Sequence, residues 1–200
     1  MAPGLRERKR LATKRSIQRA VLALVAEHGF ENVTIEDVSR EADIAPRTFF
    51  NYFPSKEAAL VGDMPSDLSS VGLDVFVAGG PTGHFFEDFG EMVAQRLDGF
   101  TFDRELHQLR HSVFREHPAL SYTHVSSMKD LEARIVDAVR QRLVNTGKPS
   151  DDALMLASIA FAAVRAAWMR WSRDEGTERS IADDIRSSCA HVFSLVSEYR

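Results

Sequence analysis

Cysteine is nearly missing from this chain: Cys189 is the only one in 200 residues. One thiol cannot close an internal disulfide, which suits a reducing cytoplasmic setting and leaves stability to a hydrophobic core. The plain reading of Cys189 is a small buried helix residue. Long hydrophobic runs are also wanting. The longest, Ala153 to Val164, is about half of what a membrane helix needs, so no membrane partner is expected. The basic start leads into "AVLALVA" and straight on to Glu27 and His28, with no small-residue cleavage site of a secretory signal. No segment carries a convincing strand pattern, and there is no repeat or low-complexity tract. No cofactor is expected.

What is present is an ordinary mixture, 44% hydrophobic and 27% charged, long enough for one or two domains with a sizeable core. The charge is unevenly spread. Residues 1–20 hold Arg6, Arg8, Lys9, Arg10, Lys14, Arg15 and Arg19 against Glu7 alone, a net +6 within a total of −4, which leaves −10 for the rest. A basic block on an acidic chain reads as an arm for an anionic partner, nucleic acid above all, or as a solubilising tail.

The periodicity throughout is helical. A first helix runs from about Arg6 to His28, with Ile17, Ala20, Val21, Leu24 and Val25 as its apolar stripe. Thr34 begins a second, with Asp37 in the acidic position of a capping box. The segment that begins at Ile44 forms a third, and Ser55 caps a fourth that begins at Lys56. The Gly-, Pro- and Ser-rich stretch from Gly62 to Gly83 marks a boundary. Beyond it helices are expected at roughly 83–98, 103–116, 119–146, 150–173 and 180–198. The fold class is all-α with about nine helices, and the domains are 1–62 and 63–200.

The chemistry concentrates in "IAPRTFFNYFPSK", residues 44–56. Phe49 and Phe53, four apart, face inward on the third helix, and Pro46 fits its first turn. Arg47, Thr48, Phe50, Asn51 and Tyr52 are thereby turned outward, a set that suits the DNA major groove. A guanidinium can bond guanine O6 and N7, an aromatic ring can meet a thymine methyl, and hydroxyls can bond phosphates. Lys56 stands at the start of the fourth helix, where anions are favoured. Burial of Phe50, or a plain surface pair of Tyr52 and Lys56, is the competing reading.

"TIEDVSREADIAPRTFFNYFPSKEAAL" resembles the helix-turn-helix of the TetR family of bacterial transcriptional repressors, closely from about Arg15 to Leu60. The resemblance implies a three-helix DNA-binding head in 1–62 and a larger helical ligand-binding and dimerisation domain in 63–200. It further implies a homodimer on a palindromic double-stranded operator, released by a small-molecule effector. By position, Thr34, Thr48, Tyr52 and Lys56 match phosphate contacts of the family, and Pro46, Arg47 and Phe50 match base-facing positions. Asn51 and the arm residues Arg8, Lys9 and Arg10 complete the expected interface. Asp43 stands where the corner usually has Gly, and Ala45 lacks the usual capping hydroxyl.

The remaining sequence is rich in large apolar groups, including Phe85, Phe86, Phe89, Met92, Phe100, Phe102, Phe114, Met128, Phe161, Trp168 and Trp171. Phe89, Met92, Phe114, Phe161, Arg165 and Trp168 are the expected effector-binding set. Arg165 is expected either as a buried cation between rings or in a salt bridge to Glu87, Asp88 or Glu91. On the last two helices, Ala153, Ala157, Ala160 and Ala167, and Ile181, Ile185, Val192 and Val196, form either a pairing surface or intramolecular core. In the family the final two helices usually pair two subunits.

Two readings from other classes remain. "HQLRH" puts His107 and His111 on one helix face at a metal-site spacing, but Gln108 replaces the catalytic Glu of the helical zinc-protease motif, and no Glu-x-x-His is present. Surface histidines explain the pair, and no enzymatic activity is expected. The other is an adaptor that binds only protein.

Overall fold

The computed structural model describes residues 4–62, 72–98, 102–117, 120–173 and 179–198, without the side chains of 121–130 and 196. Phe100, Met128 and Val196, all named above, therefore lie outside the described side chains, as does the middle of the 62–83 stretch. Among the described residues there are ten α-helices and no strand.

The chain forms two compact units. The first takes α1 (Leu5–His28), a 3₁₀ turn (Phe30–Asn32), α2 (Ile35–Glu41), α3 (Pro46–Phe50), α4 (Lys56–Val61) and α7 (Arg104–Glu116). Its core is made of Ile17, Val21, Leu22 and Val25 of α1, Val38 of α2, Phe49 of α3 and Leu60 of α4. Leu106 and Val113 of α7 close that core from more than forty residues downstream. Packing thus assigns Asp103–Ser126 to the same unit as the chain's start, a division different from a cut at residue 62. Arg110 of α7 donates to the Leu60 carbonyl at 2.9 Å, covering an end carbonyl of α4. Gly62, with φ 79°, ends α4 against that guanidinium, which a Cβ there would meet.

The second unit takes α5 (Leu73–Val77), α6 (Phe85–Leu97), most of α8 (Ser121–Asn145), α9 (Ala153–Arg173) and α10 (Ile181–Glu198). Helix α5 lies inside the stretch read as a boundary. Its Phe76 is 1% exposed and meets Phe85 and Phe89 edge-on, so a single buried ring outweighs the surrounding Gly and Pro signals. Helices α6 and α10 approach closely at Gly90, where a Cβ would stand 2.7 Å from that of Cys189. Cys189 is buried, and burial pushes its thiol up to about 12, so it is an inert packing residue.

The alanine face of α9 (Ala153, Ala157, Ala160, Ala167) and Ile181, Ile185 and Val192 of α10 are buried within the chain. Intramolecular core is therefore their role. The opposite faces of these two helices leave Leu154, Met155, Ile159, Met169, Phe193 and Leu195 exposed. Ser150–Arg173 holds an 18-residue window of mean hydropathy 1.4, long and apolar enough to cross a bilayer by length and composition only.

Candidate nucleic-acid interface

Helix α2 starts as its sequence requires. The Thr34 hydroxyl accepts from the Asp37 amide at 3.1 Å, and the Asp37 carboxylate accepts from the Thr34 amide at 3.1 Å, a reciprocal capping box. The Thr34 hydroxyl also donates to Asp37, which together with that amide and Arg40 holds the Asp37 carboxyl below its ordinary range. Asp43 then adopts φ 53°, and the Ile44 amide reaches back to the Ser39 carbonyl at 2.9 Å. This is the tight left-handed corner expected there, with Asp in place of Gly.

Pro46 opens α3, and Ala45 before it makes no side-chain cap bond. Phe49 and Phe53 are buried and in ring contact with each other at 6.1 Å. Removing the Phe49 ring would cost about 3–5 kcal/mol. With that face anchored, Pro46, Arg47, Phe50 and Asn51 are exposed, and Thr48 and Tyr52 are half-buried. Phe50, 56% exposed, is not core; it touches Phe49 only at its edge.

The basic segment is not a loose tail but the first turns of α1, which begins at Leu5. Arg6, Lys9, Arg10 and Thr13 face Thr48, Asn51 and Tyr52 across a cleft of about 390 Å³. Arg8 is exposed but does not line it. Sequence reasoning missed Arg6 and Thr13, although their spacing from Lys9 and Arg10 places all four on one helical face. Arg10 also bonds Glu7 through Nε at 3.0 Å and Nη2 at 2.8 Å.

Lys56 differs from expectation. Its ammonium donates inward to the carbonyls of Phe30 at 2.7 Å and Val33 at 2.8 Å, and lies 4.0 Å from the centre of the Phe30 ring. A lysine has three donors, and here two are spent on tying the 3₁₀ turn to α4.

The expected effector set is only partly brought together. Phe89 and Met92 are buried in the second unit's core, and Phe161 packs edge-on to Phe89 at 6.2 Å. Trp168 stacks edgewise on Phe102 and Trp171, at 5.2 and 5.6 Å. Phe114 belongs to the first unit's core cluster instead. Arg165 is exposed, not a buried cation. The buried cation is Arg142 of α8, paired with Asp88 at 2.6 Å and set over the rings of Phe76 and Phe85 at 4.7 and 5.8 Å. Its signal was legible, since Ile135, Val139 and Arg142 recur on one face. Glu91, another acid considered for Arg165, pairs with Arg186 at 2.7 Å.

Comparison with known proteins bears on this geometry. Residues 17–61 match the family model of bacterial regulatory proteins of the tetR family. The HTH-type transcriptional regulator TcmR of Streptomyces glaucescens is 27% identical over 147 residues, covering 70% of this chain and 64% of TcmR. The mycofactocin biosynthesis regulator MftR of Mycobacterium tuberculosis is 39% identical over 64 residues, 32% of each chain. The matched regions thus span less than two thirds of either relative. A solved TetR-family regulator from Mesorhizobium loti shares the fold, with TM-score 0.50 and 20% identity over 93% of this chain and 96% of its own. Residues 17–61 thus carry the helix-turn-helix unit of the tetR family of bacterial regulatory proteins.

Proposed function

We propose that the protein is a ligand-responsive, DNA-binding transcriptional regulator that represses by binding a palindromic operator as a homodimer in the cytoplasm. The observation that carries this reading is the outer surface of α3. Arg47 and Phe50 stand exposed on a helix whose inner face is pinned by Phe49, beside a cleft lined by three cations. Arg47 has the donor geometry for guanine and Phe50 the apolar ring for a thymine methyl. We assign no catalytic activity.

Pairing is assigned to the outer faces of α9 and α10. Phe193, 78% exposed, and the exposed Leu154, Met155 and Ile159 are large apolar groups of the kind that soluble proteins cover when they cluster. A two-fold pair joined there would carry two copies of α3, which on successive grooves of B-DNA stand about 34 Å apart. The effector site is assigned to the aromatic interior of the second unit, around Phe89, Met92, Phe161 and Trp168. An apolar or aromatic small molecule suits it. Such a ligand releases DNA only to the extent that it binds the released conformation better than the bound one.

Selection from a randomised duplex library with the full chain tests this. A two-fold symmetric consensus supports the reading, and failure to enrich any sequence would refute it in favour of a protein-binding adaptor.

A further inference from the structure

We infer that the second unit holds an arene seat on the face of the Arg142 guanidinium, filled here by the chain's own Phe76. The effector is then an uncharged, electron-rich arene that takes the seat by displacing that ring. This deepens the effector reading given above and rests on it. Both terminal nitrogens of Arg142 are engaged. Nη1 donates to the carbonyls of Phe76 at 2.7 Å and Gly80 at 3.4 Å, and Nη2 donates to Asp88 at 2.6 Å and to the Gly79 carbonyl at 3.3 Å. Such bonds follow N–H directions in the guanidinium plane, which leaves its flat face to rings. The ring centres of Phe76 and Phe85 lie 4.7 and 5.8 Å from the guanidinium carbon. Phe89 meets Phe76 edge-on at 5.8 Å and Phe161 at 6.2 Å, so the seat is continuous with the aromatic interior.

Charge decides the class of ligand. Asp88 is buried and already balances Arg142. An anion would meet no uncompensated cation there, and a second cation would face the guanidinium. Burying either without a partner is unfavourable, whereas the negative face of a neutral ring is drawn to the guanidinium. Phe76 is also held in a way that permits exchange. Helix α5 has five residues, and Phe76 is the one that is buried. The bonds of its turn, from the amides of Phe76, Ala78, Gly79 and Gly80 to the carbonyls of Gly72, Asp74, Phe76 and Val75, all close within residues 72–80. A single turn is not stable by itself, so α5 depends on its buried ring. The Arg142–Asp88 pair joins α8 to α6 without α5. Displacing the ring therefore melts α5 and leaves the seat standing.

The test is isothermal titration calorimetry of the full chain, without DNA, against three arenes of one shape and different charge: naphthol, naphthoate and naphthylmethylamine at neutral pH. Naphthol should bind about tenfold or more tightly than either charged arene. Amide exchange across residues 73–80 should speed up as naphthol saturates the chain. Phe76→Ala removes the competing ring and should tighten naphthol binding by about 10- to 100-fold, the factor that matches burial of one phenylalanine ring. If that variant does not fold, the charge series and the exchange data on the wild type carry the test. Equal or tighter binding of a charged arene overturns the seat. So does unchanged exchange in 73–80 at saturation, or a folded Phe76→Ala with unaltered naphthol affinity; the wider aromatic interior then remains as the effector site. If no arene binds wild type or variant, the seat falls as well. Because no DNA enters this assay, selection from the duplex library decides the DNA-binding reading separately.

Discussion

Replacing Arg142 by Met removes the second unit's buried cation and keeps most of its volume. Arg142 is 3% exposed and donates to the Phe76 carbonyl at 2.7 Å and to Asp88 at 2.6 Å, with longer bonds to the Gly79 and Gly80 carbonyls. Asp88 would keep the Thr82 amide at 2.7 Å, the Thr82 hydroxyl at 2.8 Å and the Gly83 amide at 3.2 Å, but lose its counter-charge. Breaking a buried pair from one side costs about 3–5 kcal/mol, and the surviving bonds to Asp88 place this case near the lower end, about 3 kcal/mol. For a unit of this size that lowers the melting temperature by roughly 10 °C. Both tryptophans, Trp168 and Trp171, lie in the second unit, so indole emission on heating reads that unit alone. The double variant with Asp88→Asn should cost about 1–2 kcal/mol less than the two single costs summed, since each leaves a stranded partner that the other removes. A melt within about 2 °C of wild type, or strict additivity, would refute the reasoning. The pair also sets an acid limit. Burial pushes the Asp88 carboxyl up, but the Thr82 amide and hydroxyl and Arg142 outweigh it and hold it below its ordinary value. The stability this supplies is present above about pH 4 and is lost as pH falls through the lower folded value.

Three further outcomes are expected. His107 is lowered to about 4, first by burial and then by the charges of Arg110 and His111. The unfolded chain therefore takes up the proton first, and the first unit loses stability as pH falls from about 6.5 to 4, by at most about 2 kcal/mol after solvent screening. Urea unfolding at pH 7 and 5 should show a flatter dependence in His107→Gln, and an unaltered one would remove His107 as its source. Lys56→Met should destabilise the first unit by about 1–3 kcal/mol and speed amide exchange in residues 30–34. Unchanged exchange there would mean that the ammonium does not hold the turn. Phe193→Asp should yield monomers in light scattering if α10 forms the pairing face, while a persisting dimer would place the interface elsewhere.

Much of the first unit could be read from local chemistry. The Thr34–Asp37 box, the corner at Asp43, Pro46 at the first turn of α3 and the Ser55 cap are all decided within four residues of chain, where hydrogen-bonding reach and allowed φ settle the matter. Side-chain spacing likewise placed Phe49 inside and Phe50 outside. Lys56 escaped, because its carbonyl partners lie 23 and 26 residues away. Helix α5 escaped because one buried ring is a weak local signal among glycines.

By itself the sequence determined the helical class, the order and approximate bounds of the helices, and the residues that α3 turns outward. These follow from periodicity, capping and turn chemistry, all of which act over short stretches of chain. Only the tertiary structure decided that α7 completes the first unit's core, that Arg142 rather than Arg165 is the buried cation, and that the alanine face of α9 points inward. It also brought Arg6 and Thr13 opposite Tyr52. In a helical protein an apolar stripe states only that some face must be covered. What covers it is settled by long-range packing, where many weak contacts between distant segments compete and no single residue carries the answer.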